Sequence, residues 1–395
     1  MRSKLFIIFF IANITFINVS RMLTNEEMDT SSFGVGRATL FCIILSFFYT
    51  WLNFRELIKS PLIISIGIFF GFFTFFSSVI NLGAFSFMNI INLIINNVYW
   101  LATFVVLYLF ISKNPHLVKF TINCFSLTLL FILFYYFTIA FHINYSEFIS
   151  FKGLNDAYYV LPFLPFILLL KNNTLKYLGI IIIVISLIIS YKRAGIIALL
   201  FSLMFYLILY FKYQQKVKKS GLKKTAFIFI TIITIIFLAD YSTTETGEVI
   251  SMRFNSMGED GGSGRVFIWS EVIKLQERNS FNGWILGNGY NSVKQTYIND
   301  SAHNDFLEVL YDYGLIGLFL YLILIYKLYE IYLKLKKLDW VFSIAFGSSL
   351  IIFMVLSIFS HLIIYPSYFI YIASFWGIGI GYLKNGRHQN YHFNI

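Results

Sequence analysis

The sequence predicts an all-α polytopic membrane protein, and three observations carry that prediction. Of its 395 residues, 58% are hydrophobic, and the mean hydropathy is +0.75. Only 12% are charged, roughly half the share of a soluble domain. Apolar runs of roughly 15 to 22 residues recur along the whole length, where a bilayer-crossing helix needs about 20. Backbone amides in lipid must be paired within the protein, which leaves helices or closed barrels. These runs are too long and too apolar for barrel strands.

Taken in order, the runs predict spans at 5–20, 38–54, 61–80, 91–112, 120–141, 157–170, 177–191, 194–211, 225–240, 307–326, 340–361 and 365–383. The first has a basic start and an apolar stretch like a signal peptide. It lacks a small-x-small cleavage site and many spans follow, so it reads as an uncleaved first helix. The expected division is a bundle over 1–240, a large loop with an amphipathic helix over 241–306, and a second bundle with a tail over 307–395. Cys42 and Cys124 both fall inside spans and read as small apolar side chains, with no disulfide framework. No metal-ligand spacing, phosphate loop or internal repeat is present.

Lysine and arginine set the orientation. Arg2, Lys4, Arg55, Lys59, Lys113, Lys119, Lys171, Lys176, the lysines of 212–224 and 327–337, Lys384 and Arg387 all fall on one side. That side holds only three acids, Glu56, Glu330 and Asp339. Both termini are therefore expected in the cytoplasm. The net charge of +11 comes from these anchors, so it argues for membrane orientation and against a nucleic-acid partner. Two outward features then stand out. "SYKRAG" (190–195) is a tight turn carrying Lys192 and Arg193 on the side where basic residues are disfavoured. Residues 241–306 form by far the longest loop.

That loop begins polar and glycine-rich, which allows it to bend. In "RVFIWSEVIKLQERNS", Val266, Trp269, Val272 and Ile273 recur at helical spacing with charges opposite, predicting an amphipathic helix on the membrane or over the bundle. "FNGWILGNGYNS" brings glycine turns around Trp284 and Tyr290. "SAHNDFLEVLYDYGLIGLFLYL" (301–322) then places His303, Asn304, Asp305 and Glu308 at the mouth of an apolar helix. If that helix starts near Ser301, capped by Asp300 or Ser301, then Asn304, Glu308 and Asp312 share a face and His303 lies in the first turn. The helix dipole there favours a neutral imidazole, as a general base requires, while Asp305 and Glu308 push the other way. His116, His142, His388 and His392 read as interfacial anchors. His361, at an outward helix end, reads first as an anchor and second as a residue supporting a site.

The stretch 301–322 resembles the histidine motif of the O-antigen polymerase and O-antigen ligase superfamily: a small residue, His-Asn, an apolar residue, Leu, an acid, then Gly-Leu-Ile-Gly. "GRVFIWSEVIKLQERNSFNGWILGNGY" is similar to the segment preceding that motif, and "SYKRAG" to a Ser-x-Arg-Gly/Ala turn, with Lys192 where a small or polar residue is common. "FKGLNDAYYVLPFLPFILLLK" resembles a further segment weakly. The sequence-specific likeness covers some 60 residues.

The resemblance implies a metal-independent glycosyltransferase of the membrane-embedded GT-C type, needing no cofactor. It would work on undecaprenyl-diphosphate-linked glycan at the periplasmic face of a bacterial inner membrane. By the same resemblance His303 is the general base. Arg193 and Arg265, with Lys192, hold the diphosphate, since guanidinium binds phosphate bidentately. Asn304 and Glu308 support them. The aromatic rings of Trp269, Trp284 and Tyr290 suit either sugar stacking or packing. The reading favoured is a polymerase that moves the growing glycan from undecaprenyl diphosphate onto an incoming lipid-linked repeat unit, with membrane lipid and a chain-length regulator as partners. The motif form favours this, as does an AT-rich composition with 47 Phe and 27 Tyr. The alternatives are a ligase transferring glycan to the lipid A core and a polysaccharide transporter or flippase. Against transport, the spans carry almost no mid-membrane charge.

Overall fold

The computed structural model describes residues 2–24, 33–81, 87–142, 157–190, 192–214, 264–363 and 365–386. Among these residues there are helices and turns but no strand. In order come α1 (Arg2–Thr24), α2 (Phe33–Leu52), the short α3 (Phe54–Ile58), α4 (Leu62–Ile80), α5 (Phe87–Lys113) and α6 (Val118–His142). Then follow α7 (Ala157–Val160), α8 (Leu164–Leu168), α9 (Asn173–Ile189) and α10 (Arg193–Gln214). Beyond residue 263 lie α11 (Arg265–Glu277), α12 (Phe281–Leu286), α13 (Asp305–Leu338), α14 (Trp340–Phe359) and α15 (Pro366–Gly386).

Seven of the described helical stretches are long and apolar enough to cross a membrane, and three shorter apolar ones accompany them. Large side chains such as Phe47, Phe72, Phe76, Phe131 and Phe134 are exposed around the outside. An apolar exterior of that extent is what a helical integral membrane protein presents to lipid.

At the centre, α5 and α15 approach closely because α15 carries small residues one turn apart. A Cβ on Gly377 would meet the Phe104 carbonyl oxygen at 2.4 Å, and one on Gly381 the Tyr108 oxygen at 2.8 Å. Small residues at this spacing let two backbones touch where lipid supplies no hydrophobic drive. α10 and α14 meet similarly. Ser202 and Ser348 each donate a hydroxyl to the other's carbonyl at 3.4 Å. Trp376 of α15 is buried and donates its indole N–H to Ser349 Oγ at 3.0 Å.

Helices occupy the expected spans with several differences. The span 225–240 and residues 241–263 of the outer loop lie outside the described residues. The expected span 157–170 is broken into α7, a 3-10 turn over Leu161–Phe163, and α8. Pro162 and Pro165 lack the N–H that a continuous helix requires. The expected loop 327–337 is instead the end of α13. Leu328, Ile331, Tyr332 and Leu335 are buried there at helical spacing, while Lys334, Lys336 and Lys337 point outward. α13 takes a non-helical step at Gly314, and its part beyond that, 315–338, is about 36 Å long at 1.5 Å per residue, still beyond a hydrocarbon core of about 30 Å.

Candidate functional site

The site is assembled on the first turns of α13. The helix begins at Asp305, not near Ser301. Neither Asp300 nor Ser301 caps it. Asn304 does, its Oδ1 accepting from the backbone N–H of Phe306 and Leu307 at 3.0 and 3.2 Å. The reason is local: Asn304 is extended (φ −156°, ψ 109°), which aims its short side chain at the orphan amides. His303 therefore precedes the helix, with φ of 49°, and does not lie in its first turn. Asn304 is not on the Glu308–Asp312 face but at its entrance, where its Nδ2 donates to the Ile358 carbonyl at 3.3 Å.

The carboxylates expected beside His303 are spent on backbone. Asp305, fully buried, accepts from Leu362 N–H at 3.0 Å and Ile363 N–H at 3.3 Å. Glu308, also buried, accepts from Ala302 N–H through Oε2, while its Oε1 has no partner. The Ala302 carbonyl in turn accepts the Trp269 indole N–H at 2.9 Å. Both polar groups of the residue before His303 are thus tied down, one by α13 and one by α11. Asp312 accepts from Asn291 N–H at 2.7 Å and from Ser292 N–H and Oγ at 3.0 and 2.6 Å.

The Gly-x-Gly turn sits against the same helix. Gly289 N–H donates to the Asp312 carbonyl at 2.8 Å, and Asn288 N–H to that of Tyr311 at 3.1 Å. On the other side Ser77 Oγ donates to the Leu286 carbonyl at 2.7 Å, and Tyr290 N–H to Ser78 Oγ at 3.1 Å. The loop is clamped between the end of α4 and the start of α13. Of the expected aromatics, Trp269 has its N–H committed to Ala302, and Tyr290 packs against the core. Trp284 is half-buried beside a small cavity lined also by Val272, Gln276 and Tyr311.

His303 is partly exposed, and its ring meets two partners. Asp300 Oδ2 lies 3.6 Å from Nε2, and hydrogen bonding to His303 holds the Asp300 carboxyl below its usual range. The His361 ring lies 4.7 Å away, centroid to centroid, tilted by 31°. His361 is buried, its Nδ1 is 3.0 Å from Ser301 Oγ, and Tyr365 covers it at 4.2 Å. Its pKa is pushed well below 6.5, chiefly by burial, with added repulsion from His303, Lys192, Arg265 and Lys294. Sequence reasoning ranked His361 first as an anchor and passed over Lys294. No spacing signal links His361 to His303, because their proximity is created by the chain's return after α14.

Of the expected residues, His303 stacks on His361, and the charges of Lys192 and Arg265 act on the same ring. Arg265 opens α11 behind Gly264, which has φ of 73°. Lys192 leads into α10, whose first residue is Arg193, and Lys192 N–H donates to Ser190 Oγ at 3.3 Å. Arg193 is half-buried beside it in the chain. Among the described residues no group of three or more His, Cys, Asp and Glu side chains is placed to hold a metal ion.

Residues 178–322 match a family model described as O-Antigen ligase. That match supports the O-antigen polymerase and ligase superfamily. The match points to a glycan-transferring enzyme of polysaccharide synthesis, working in the membrane on lipid-linked polysaccharide. No curated protein matches the chain. The matched segment includes Lys192, Arg193, Arg265, His303, Asn304 and Glu308. His361 lies outside it, so in this chain the second imidazole comes from the unmatched C-terminal part.

Proposed function

We propose that this protein is a polysaccharide polymerase of the O-antigen polymerase and ligase superfamily. It transfers the growing glycan from undecaprenyl diphosphate to the non-reducing end of an incoming lipid-linked repeat unit. The observation that carries glycan transfer is a partly exposed His303 stacked on His361, a ring whose protonation Lys192 and Arg265 also oppose, on a backbone pinned at Ala302. His303 takes the proton from the acceptor hydroxyl, the freed oxygen attacks the donor's anomeric carbon, and the bond from that carbon to the diphosphate oxygen breaks. Arg193, Arg265 and Lys192 offset the charge left on undecaprenyl diphosphate, a leaving group stable enough to depart without a protonating acid. Asn304 and Glu308 hold His303 from behind, through the helix cap and Ala302.

The excess of cytoplasmic lysine supports an inner-membrane protein with both termini inside and this site on the periplasmic face. A GT-C-like arrangement of about twelve spans, with one large loop between the ninth and tenth, fits that orientation. So does the division into 1–240, 241–306 and 307–395. A chain-length regulator is the partner such a polymerase would have. The second reading, transfer of finished glycan to the lipid A core, is favoured by the description of the matched family as O-Antigen ligase.

The test expresses His303→Ala and Arg265→Ala in a strain lacking the gene. Loss of long chains, with one repeat still attached to core, supports the polymerase. Loss of all attached polysaccharide supports the ligase. Surface polysaccharide unchanged in both variants rejects the site.

A further inference from the structure

We infer that His361 is a positioning residue for His303, fixing the ring plane of the base at the moment it accepts a proton; this rests on the proposed role of His303.

The geometry is over-determined in its favour. His303 and Tyr365 lie on His361 at 4.7 and 4.2 Å between centroids, and the row continues through Tyr368, stacked on Tyr365 at 5.5 Å, to Tyr159 at 4.7 Å. Tyr159, Tyr365 and Tyr368 are all buried, so the inner end of the row cannot shift without opening the bundle. His303, at the outer end, is the only ring of the five with access to substrate. In-plane movement of His361 is blocked by its 3.0 Å contact with Ser301 Oγ. Ser301 is itself buried and stands two residues before His303, so one turn carries both the base and the anchor of the ring beneath it.

The loop bearing His361 and the end of α14 before it are fastened to the residues just after His303 three more times. Asp305 takes the Leu362 and Ile363 amides, and Asn304 Nδ2 reaches Ile358. This redundancy is what a left-handed backbone at a non-glycine residue needs in order to persist, and His303 has φ of 49°.

Charge completes the argument. His361 is 7% exposed, too enclosed to meet a sugar hydroxyl itself. It neither gains nor loses a proton in the reaction. Burial and the cations Lys192, Arg265 and Lys294 keep its ring neutral. A neutral ring beneath His303 is compatible with the imidazolium formed when the acceptor loses its proton, whereas two stacked cations would repel.

The experiment uses the full chain in lipid nanodiscs and, as substrate, undecaprenyl-diphosphate-linked repeat unit extracted from a strain lacking the gene. Initial rates are compared for wild type, His361→Ala, His361→Phe, Ser301→Ala and His303→Ala. Misplacing a base by about 1 Å lowers rate on the order of a hundredfold. The expected result for His361→Ala is therefore a fall in kcat of about tenfold to a hundredfold, with KM within about twofold. His361→Phe, which keeps the stack and loses the Ser301 contact, recovers part of that loss. Ser301→Ala, which keeps the stack, falls by less than His361→Ala. Wild-type kcat in His361→Ala, an effect confined to KM, or a His361→Phe no better than alanine overturns the proposal. Should His361→Ala fail to purify as a folded protein, Phe and Ser301→Ala decide it: wild-type kcat in both rejects it. The two readings separate at His303→Ala. Full transfer in that variant rejects the proposed function, whereas an inactive His303→Ala beside a fully active His361→Ala rejects only the role of His361.

Discussion

Gly314 and Gly287 meet backbone to backbone where α13 bends. Gly314 has φ of 64°, and a Cβ there would lie 2.5 Å from the Ile285 carbonyl and 2.7 Å from Gly287 N. Gly287 has φ of 80°, and a Cβ on it would come within 2.2 Å of the Asp312 carbonyl oxygen. Neither position has room or a comfortable dihedral for a side chain. The bend gives α13 its non-helical step and lets the Asp312 and Tyr311 carbonyls serve the loop amides. Gly314→Ala is expected to destabilise the protein by at least about 1–3 kcal/mol. It should also abolish transfer, although it removes no polar group of the site. Thermal unfolding in detergent and the transfer assay check both, and a variant with wild-type melting temperature and activity refutes the account.

Glu308 acts as an acceptor for Ala302 N–H. Such a contact needs an oxygen and not a charge. Glu308→Gln should retain most of the transfer rate and Glu308→Ala should lose it, in part because a buried amide left unpaired costs about 1–3 kcal/mol. Equal loss in the two variants would show that the carboxyl does more than hold Ala302.

Asp305 holds the loop after α14 through two amides. Asp305→Ala leaves both buried, so a loss of about 2–5 kcal/mol in stability is expected. Asp305→Asn, which keeps one acceptor oxygen, should lose less. Calorimetric melting of the two variants ranks them, and the reverse order contradicts the assignment.

His361 makes stability depend on pH in a defined direction. Its folded pKa lies well below 6.5, so in the window beneath 6.5 the unfolded chain binds a proton that the folded chain refuses. Stability is then complete above 6.5 and declines as pH falls toward the folded value. The groups facing His361 are Ser301, His303, Tyr365, Lys192, Arg265 and Lys294, with Asp305 beneath its loop. Asp300, whose pKa lies below 3.8, contributes a loss only in more acid solution. His361→Phe should flatten the melting-temperature profile between about pH 6.5 and 5. A profile as steep as wild type would exclude His361 as its source.

Much of the architecture was legible because it rests on short-range patterns. An apolar run long enough to span a bilayer is a helix whatever its neighbours, and α4, α5, α6 and α14 follow their runs closely. The helix over 265–277, the Gly-x-Gly turn and the His-Asn pair are likewise local signals, although of the expected apolar face Val266 and Ile273 are exposed and Val272 is buried. Errors arose where local signals competed. Lysines at 327–337 suggested a loop, although Leu328, Ile331, Tyr332 and Leu335 kept a buried stripe. Ser301 is as good a cap by type as Asn304, and the extended backbone of Asn304 chose between them.

The sequence by itself determined that this is a helical membrane protein, which residue types would be available at its polar mouth, and where in the chain they stand. Only the tertiary structure decided which of them meet. It turned Asp305 and Glu308 from companions of the imidazole into clamps on backbone amides, as it did Asp312, because buried carboxylates must find donors and the nearest were loop N–H groups. It also placed His361 against His303, since stacking between distant chain positions is settled by how α13, α14 and α15 pack and leaves no trace in spacing.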